Sequence, residues 1–229
     1  MFLKRYLYKH GARLICKRID ALKDNGEDFR KSSEVFAIRR FLIQAPELAK
    51  DLFNPKVLSL IRSLSPYAAV VRSVYFDKPA ASNWFVAPHQ DLIVQVSDRI
   101  VSPNYTNWTF KHGRYAVQPP VKILENMFTL RLHLDAADER NGALQVLPGS
   151  HLKGIVRRDQ LGNQAAYVNC YAAAGTLMLM KPLLMHRSSK SKHHGRRRII
   201  HIELSGDELP DGLRWSERMA VFDSNLSLQ

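Results

Sequence analysis

From residue 68 onward the chain breaks into short apolar or alternating runs with turn residues between them, and this pattern constrains the fold more than any other feature. The runs are "AAVVRSVYF" at 68–76, the segment 86–95 around "PHQDLIVQV", "RYAVQ" at 114–118, "MFTLRLHL" at 127–134, "ALQVL" at 143–147, "AAYVN" at 165–169, "TLMLM" at 176–180 and "RRIIHIEL" at 197–204. Glycine and proline separate several of them, so about eight strands are expected. Strands this short and this numerous, mostly antiparallel, close into a double-sheet jelly roll of the cupin-like kind. The expected class is mainly β, a double-stranded β-helix with N-terminal helices packed on one sheet.

The helices are expected before the strands. "SEVFAIRRFLI" at 33–43 carries apolar residues at helical spacing behind a serine able to cap, which predicts a helix there. Pro46 and Pro55 each stand where a further helix can begin, because a first-turn residue needs no N–H. The chain then divides into a helical part at 1–65, a jelly-roll core at 66–205 and a C-terminal extension at 206–229, all within one domain.

Composition narrows the setting. With 45% hydrophobic and 24% charged residues the chain can bury a sizeable core. No run of apolar residues is long enough to cross a bilayer, so no membrane association is expected. The start, "MFLKRYLYKHGARLICKRI", is interrupted by charges and lacks the pattern of a signal peptide. Cys16 and Cys170 have no metal spacing, and a reducing cytoplasm suits them. The net charge of +13 raises nucleic acid as a partner. Against that, the charge is dispersed. Its densest patch, "RSSKSKHHGRRR" at 187–198, has no interleaved aromatics to stack bases, and it reads equally as a solvated loop or as an anion-binding loop.

Chemistry is concentrated in two His-x-Asp triplets, His89/Asp91 and His133/Asp135. On a strand, residues two apart share a face, so either pair could direct both side chains into one cavity. A second histidine would complete a two-histidine, one-carboxylate face of the type that holds non-haem Fe(II) and leaves positions open. His186, at the end of the apolar run "GTLMLMKPLLM", is the best third ligand. His193 and His194 compete, but a glycine follows them inside the basic loop. Arg197, which opens the last strand, offers a fixed guanidinium fork for one carboxylate of a dicarboxylic acid.

Together "SNWFVAPHQDLIV", "WTFKHGRYAVQPP", "TLRLHLDAADERNGALQVLPGSH" and "MHRSSKSKHHGRRRIIHIEL" resemble the phytanoyl-CoA dioxygenase family of Fe(II)/2-oxoglutarate oxygenases, over roughly residues 66–205. The resemblance implies that His89, Asp91 and His186 are iron ligands and that Arg197, with Ser188, binds the distal carboxylate of 2-oxoglutarate. It also places Gln90 and Trp108 beside the cosubstrate. In the family the first two ligands lie on the second core strand, which selects 89/91 over 133/135. His133 is then expected as a buried, hydrogen-bonded core residue, while the Asp and Asn-Gly of "DAADERNGAL" shape a turn. His151 of "PGSH" is read as part of a shaping loop. Arg198 is expected to face outward.

The reaction implied is hydroxylation of a small molecule by Fe(II), 2-oxoglutarate and O₂, with release of succinate and CO₂. The carboxylate of Asp91 argues against halogenation. Arg72, Lys111 and Arg131, with the basic balance, suggest an anionic substrate. Two alternatives stand: a nucleic-acid-binding or nucleic-acid-modifying protein of the same fold, and a non-catalytic cupin-like binding module. Oligomeric state and substrate identity are not legible in the chain.

Overall fold

The structure is a computed structural model that describes residues 2–7, 9–23, 26–31, 35–78, 85–157, 166–191 and 196–222. In chain order the elements are β1 (Phe2–Arg5), α1 (Lys9–Asp20), β2 (Phe29–Lys31), β3 (Val35–Arg39), α2 (Phe41–Gln44), α3 (Ala49–Leu52), α4 (Pro55–Leu64), β4 (Ala69–Asp77), β5 (Val86–His89), β6 (Val94–Val96), β7 (Thr106–Lys111), β8 (Arg114–Gln118), α5 (Val121–Asn126), β9 (Phe128–His133), β10 (Leu144–Val146), β11 (Val168–Cys170), β12 (Thr176–Met180), β13 (His186–Ser188), β14 (Arg198–Ser205) and β15 (Met219–Ala220).

Among the described residues all the strand pairs are antiparallel and form three sheets. The large sheet runs β1-β12-β9-β14-β4-β3-β2, with β15 also on β4. A four-stranded sheet, β11-β10-β13-β5, and a three-stranded sheet, β6-β8-β7, complete the set. Consecutive core strands alternate between the first two sheets, β9 to β10 and β12 to β13, as a double-stranded β-helix requires.

One expected helix is not there. Residues 35–39 form β3, which adds to the edge of β4 with Ala37 opposite Phe76 and Ile38 opposite Tyr75. Helix begins only at Phe41, after Arg40 turns in the left-handed region (φ 48°). Val, Phe and Ile suit a strand as well as a helix, and pairing with β4 decides between them. The Ser33 cap lies outside the described residues. At Pro55 the expectation and the structure agree. Asn54 caps α4, its side chain accepting from Lys56 N and Val57 N at 3.1 and 3.2 Å. Pro46 opens a short 3₁₀ turn rather than a full helix. The segment 86–95 is two strands, not one, with β5 and β6 in different sheets.

The principal core lies on the outer side of the large sheet. Leu130, Leu132, Ile200, Ile202 and Tyr75 project there, under Ile15, Phe41, Leu48 and Ile61 from the helical segments. Each such side chain removed from water contributes roughly 1.5–3 kcal/mol. A bulge between Glu203 and Leu204 resets the facing of β4, so that Val70 joins this core while Val71 packs on the opposite side with Val94, Val117 and Trp215. The segment after β14 returns across the three-stranded sheet, where Ser216 N donates to Gln95 O at 3.0 Å, before β15 pairs with β4.

Candidate metal centre

The inner side of the large sheet faces the four-stranded sheet, and three potential ligands meet between them. His89 ends β5 and His186 begins β13, and the register sets the two directly opposite. Their ring centroids are 4.2 Å apart. Asp91 approaches both: Oδ1 lies 3.8 Å from His89 Nε2, and Oδ2 lies 3.8 Å from His186 Nε2. All three ligand atoms fall within 4.8 Å of one another, and no other His/Cys/Asp/Glu trio among the described residues does so.

Each imidazole is oriented from behind. His89 Nδ1 donates to Ala87 O, and His186 Nδ1 donates to Leu184 O, both at 2.9 Å. A carbonyl only accepts, so Nδ1 carries a proton, and in the neutral ring the Nε2 lone pair is the one that faces Asp91. Burial lowers the His186 pKa despite Asp91, which favours the neutral, metal-binding form. For Asp91, burial works upward, but His186, His201, His89 and Arg72 together hold the carboxyl below its usual range. Asp91 Oδ2 is buried with no hydrogen-bond partner. Two lone-pair nitrogens and an unsatisfied carboxylate oxygen on one side of a cavity fit a divalent cation, and the donor set is the one that suits Fe(II).

The ligand-bearing backbone is fastened by the loop after β10. Gln90 is buried, and its Nε2 donates to Leu183 O (2.6 Å) and Gly154 O (2.9 Å) while its Oε1 accepts from Val156 N (2.8 Å). Ser150 of "PGSH" accepts from Met185 N and donates to Leu147 O, both at 2.8 Å, immediately before His186. Asp91 N donates to Pro182 O at 2.9 Å. The β9–β10 turn also needs a glycine. Gly142 has φ +70°, and a Cβ there would stand 2.3 Å from Ser189 O, against the end of β13.

Beside the trio lies a cavity of about 150 Å³, lined by Arg72, Lys78, Arg131, Ser188, Arg197 and His201 among others. Arg197 is buried, with Nε and Nη1 unpartnered, and burial pushes its pKa down to about 10. Arg131 reaches about 9 for the same reason, with the charge of Arg197 adding to the effect, and its Nε is also unpartnered. Both stay cationic at neutral pH. Buried guanidinium donors without a protein carboxylate are costly, and a small dicarboxylate would satisfy them. Lys78, lowered to about 8 by burial, donates from Nζ to Ser189 O at 2.8 Å.

The sequence-derived residues therefore separate. His89, Asp91, His186, Ser188, Arg197, Arg72 and Arg131 surround one cavity. Gln90 does not line it, because its amide is spent on backbone. Trp108 does not either: it packs with Tyr105 and Tyr115 beside Arg99 in the three-stranded sheet. Lys111 is exposed at the end of β7. The family resemblance placed Gln90 and Trp108 at the site and the basic balance suggested Lys111; the departure of β6–β8 into a separate sheet carries the last two away. Asp135 is taken by Arg198, which donates from its backbone N, Nε and Nη2 at 3.0, 2.8 and 2.9 Å, so the second triplet cannot clamp a metal with it. His133 is fully buried as expected, but neither ring nitrogen has a hydrogen-bond partner. Burial, with Arg131 and Arg197 nearby, lowers its pKa to about 3 and keeps it neutral. His193 and His194 lie outside the described residues. His201 and Lys78 were not anticipated. Alternation from Arg197 through Ile199 to His201 carries the signal for the first; the second, just past β4, has none.

The chain is similar to known proteins in sequence family and in fold. Residues 8–199 match the family model described as phytanoyl-CoA dioxygenase (PhyH). EctD from S. alaskensis in its apoform is similar in structure, with TM-score 0.69 and 16% identity over 91% of this chain and 74% of that one. AviO1 from Streptomyces viridochromogenes Tue57 gives TM-score 0.58 and 18% identity over 88% and 84%. HygX from Streptomyces hygroscopicus, solved with nickel and 2-oxoglutarate bound, gives 0.60 and 12% over 89% and 82%. A search of curated proteins by sequence gives no match.

Proposed function

Because the chain belongs to the phytanoyl-CoA dioxygenase family, we propose that it is an Fe(II)/2-oxoglutarate-dependent dioxygenase that hydroxylates a C–H bond of a small organic substrate. The observation that carries the reading is the meeting of His89 Nε2, Asp91 and His186 Nε2 in the lining of a cavity that also holds Arg197, whose Nε and Nη1 are buried without a partner. EctD has been solved with 2-oxoglutarate and 5-hydroxyectoine, which supports the same cosubstrate here.

His89, Asp91 and His186 would hold the iron. With 2-oxoglutarate and O₂ also bound, iron(II) there would activate O₂, the oxidant of the reaction, one oxygen atom going to the substrate C–H bond and the other to succinate as CO₂ is released. The protein's contribution is positioning and fixed charge. The carbonyls of Ala87 and Leu184 hold both rings in the ligating tautomer. Arg197 and Ser188 receive the distal carboxylate, and Arg131 adds a second buried positive charge for the dianion. Leu144, Val86 and Ile199 supply apolar wall, which strengthens these electrostatic contacts by excluding water.

The test is anaerobic titration of the protein with Fe(II) and 2-oxoglutarate, followed by measurement of succinate on admitting O₂. Metal-dependent binding of 2-oxoglutarate that is lost in His89→Ala and Arg197→Ala is expected. Absence of metal-dependent binding, or binding indifferent to both changes, overturns the reading.

A further inference from the structure

A second cavity, about 320 Å³, abuts the first and shares Arg72 and Phe76 with it. It is built on the same inner face of the large sheet, further toward the edge. Register places Arg39 beside Val74, Ala37 beside Phe76 and Arg30 beside Ala37, so Arg30 and Arg39 emerge on the side that carries Arg72. The remaining wall is Phe36, whose ring lies 5.1 Å from the Arg30 guanidinium carbon.

Three guanidinium groups in one cavity repel each other. Burial lowers the Arg39 pKa, and the charges of Arg30, Arg114 and Arg72 lower it further. Asp91, on the metal side, and Glu217, which accepts from Ser73 N and Oγ, also act on Arg72, and the described carboxylates closest to the three arginines are engaged. Asp28 is paired with Arg114 at 2.5 Å and accepts from Gln44 at 2.8 Å, and Glu203 accepts from Arg72 Nη1 at 2.6 Å. Arg39 Nη1 and Arg72 Nε stay buried without a hydrogen-bond partner. Buried cationic donors left in this state call for an anion.

We propose that this cavity is the substrate's phosphate subsite: the molecule oxidised at the metal carries a phosphomonoester or similar dianionic phosphoryl group, held by Arg30, Arg39 and Arg72. This rests on the reading of His89, Asp91 and His186 as the metal centre. A monocarboxylate would neutralise one guanidinium and leave the others facing each other. A phosphomonoester brings close to two negative charges and three acceptor oxygens, enough for two free arginines and the open Nε of the third. Phe36 and Phe76 receive the carbon next to the phosphate, and the shared Arg72–Phe76 wall sets the oxidised carbon on its metal-facing side. Arg197, in the first cavity only, stays available to the cosubstrate.

Inorganic phosphate is the probe, followed by calorimetric titration at physiological ionic strength, where diffuse surface attraction is screened. One site is expected, with affinity unchanged when the protein is loaded with metal and 2-oxoglutarate. Arg39→Gln and Arg30→Gln should each weaken phosphate by about tenfold or more, the cost of a charge-assisted contact. Arg39→Lys should recover part of the loss, and Lys122→Gln, an exposed residue far along the chain, should change nothing. Thermal melts equal to wild type in the exposed Arg30→Gln variant keep the result independent of folding. The proposal is overturned if phosphate does not bind, if 2-oxoglutarate displaces it, or if Lys122→Gln weakens it as much as Arg39→Gln does. Phosphate binding as expected, without any metal-dependent binding of 2-oxoglutarate, would uphold the subsite and remove the oxygenase reading.

Discussion

The two faces of the large sheet differ in chemistry although the same strands build both. On β9, Leu130 and Leu132 point outward into the helical layer, while Arg131 and His133 point inward. On β14, Ile200 and Ile202 point outward, while His201 points inward beside Arg197. One face gains free energy from apolar burial. The other holds charged and polar groups that burial penalises, with donors on Arg72, Arg131 and Arg197 and both nitrogens of His133 unpartnered. The contrast shows a division of labour: the outer face stabilises the sheet, and that surplus lets the inner face keep groups poised for ligands rather than for each other.

If that division holds, changes on the two faces should have separate readouts. The largest effect is expected at the ligands. His186→Ala should reduce metal affinity about 1,000-fold, since one ligand's share of a metal's binding energy is on the order of 3–4 kcal/mol, while denaturant unfolding of the metal-free protein changes little. Next comes Leu132→Ala on the outer face, which should cost about 3 kcal/mol in urea unfolding and leave metal affinity at its wild-type value. A parallel loss of metal binding in that variant would break the comparison. Arg197→Ala should then weaken 2-oxoglutarate by about 100-fold, as removal of a buried charge partner does, with metal affinity retained when titrated alone. The smallest effect is expected for His133→Phe. Replacing a buried imidazole that has no partners by a ring of similar shape should alter stability by no more than about 1 kcal/mol and leave metal binding intact. Loss of metal there would move the ligand set to the other triplet.

Much of the fold was legible because strand alternation and turn residues are local. Seven of the expected runs correspond to single strands, and the His89-x-Asp91 pair that meets His186 stood out in the sequence. What was not legible depended on contacts between distant segments. "VFAIR" carries no local mark that distinguishes an edge strand from a helix, and the open edge of β4 selected the strand. Gln90 stands between His89 and Asp91 in sequence, yet the backbone of Leu183, Gly154 and Val156 claims its amide. Trp108 and Lys111 left the site when their strand joined a separate sheet. Arg30 and Arg39 drew no notice in the sequence, because they stand within a stretch that reads as helix.

The sequence by itself determined the types of side chain and, through the two-residue period of a strand, which of them share a face: Arg131 with His133, and Ile199 with His201, whereas Asp91 lies past the end of β5 and meets His89 from the connection to β6. Only the tertiary structure decided which faces meet. The antiparallel register of β13 on β5 set His186 opposite His89, and the pairing of β3 with β4 and of β2 with β3 brought two further arginines to the adjoining cavity. The physical reason is that alternation is fixed by covalent geometry within a strand, whereas register and sheet membership are chosen by the burial of whole faces, a sum over residues far apart in the chain.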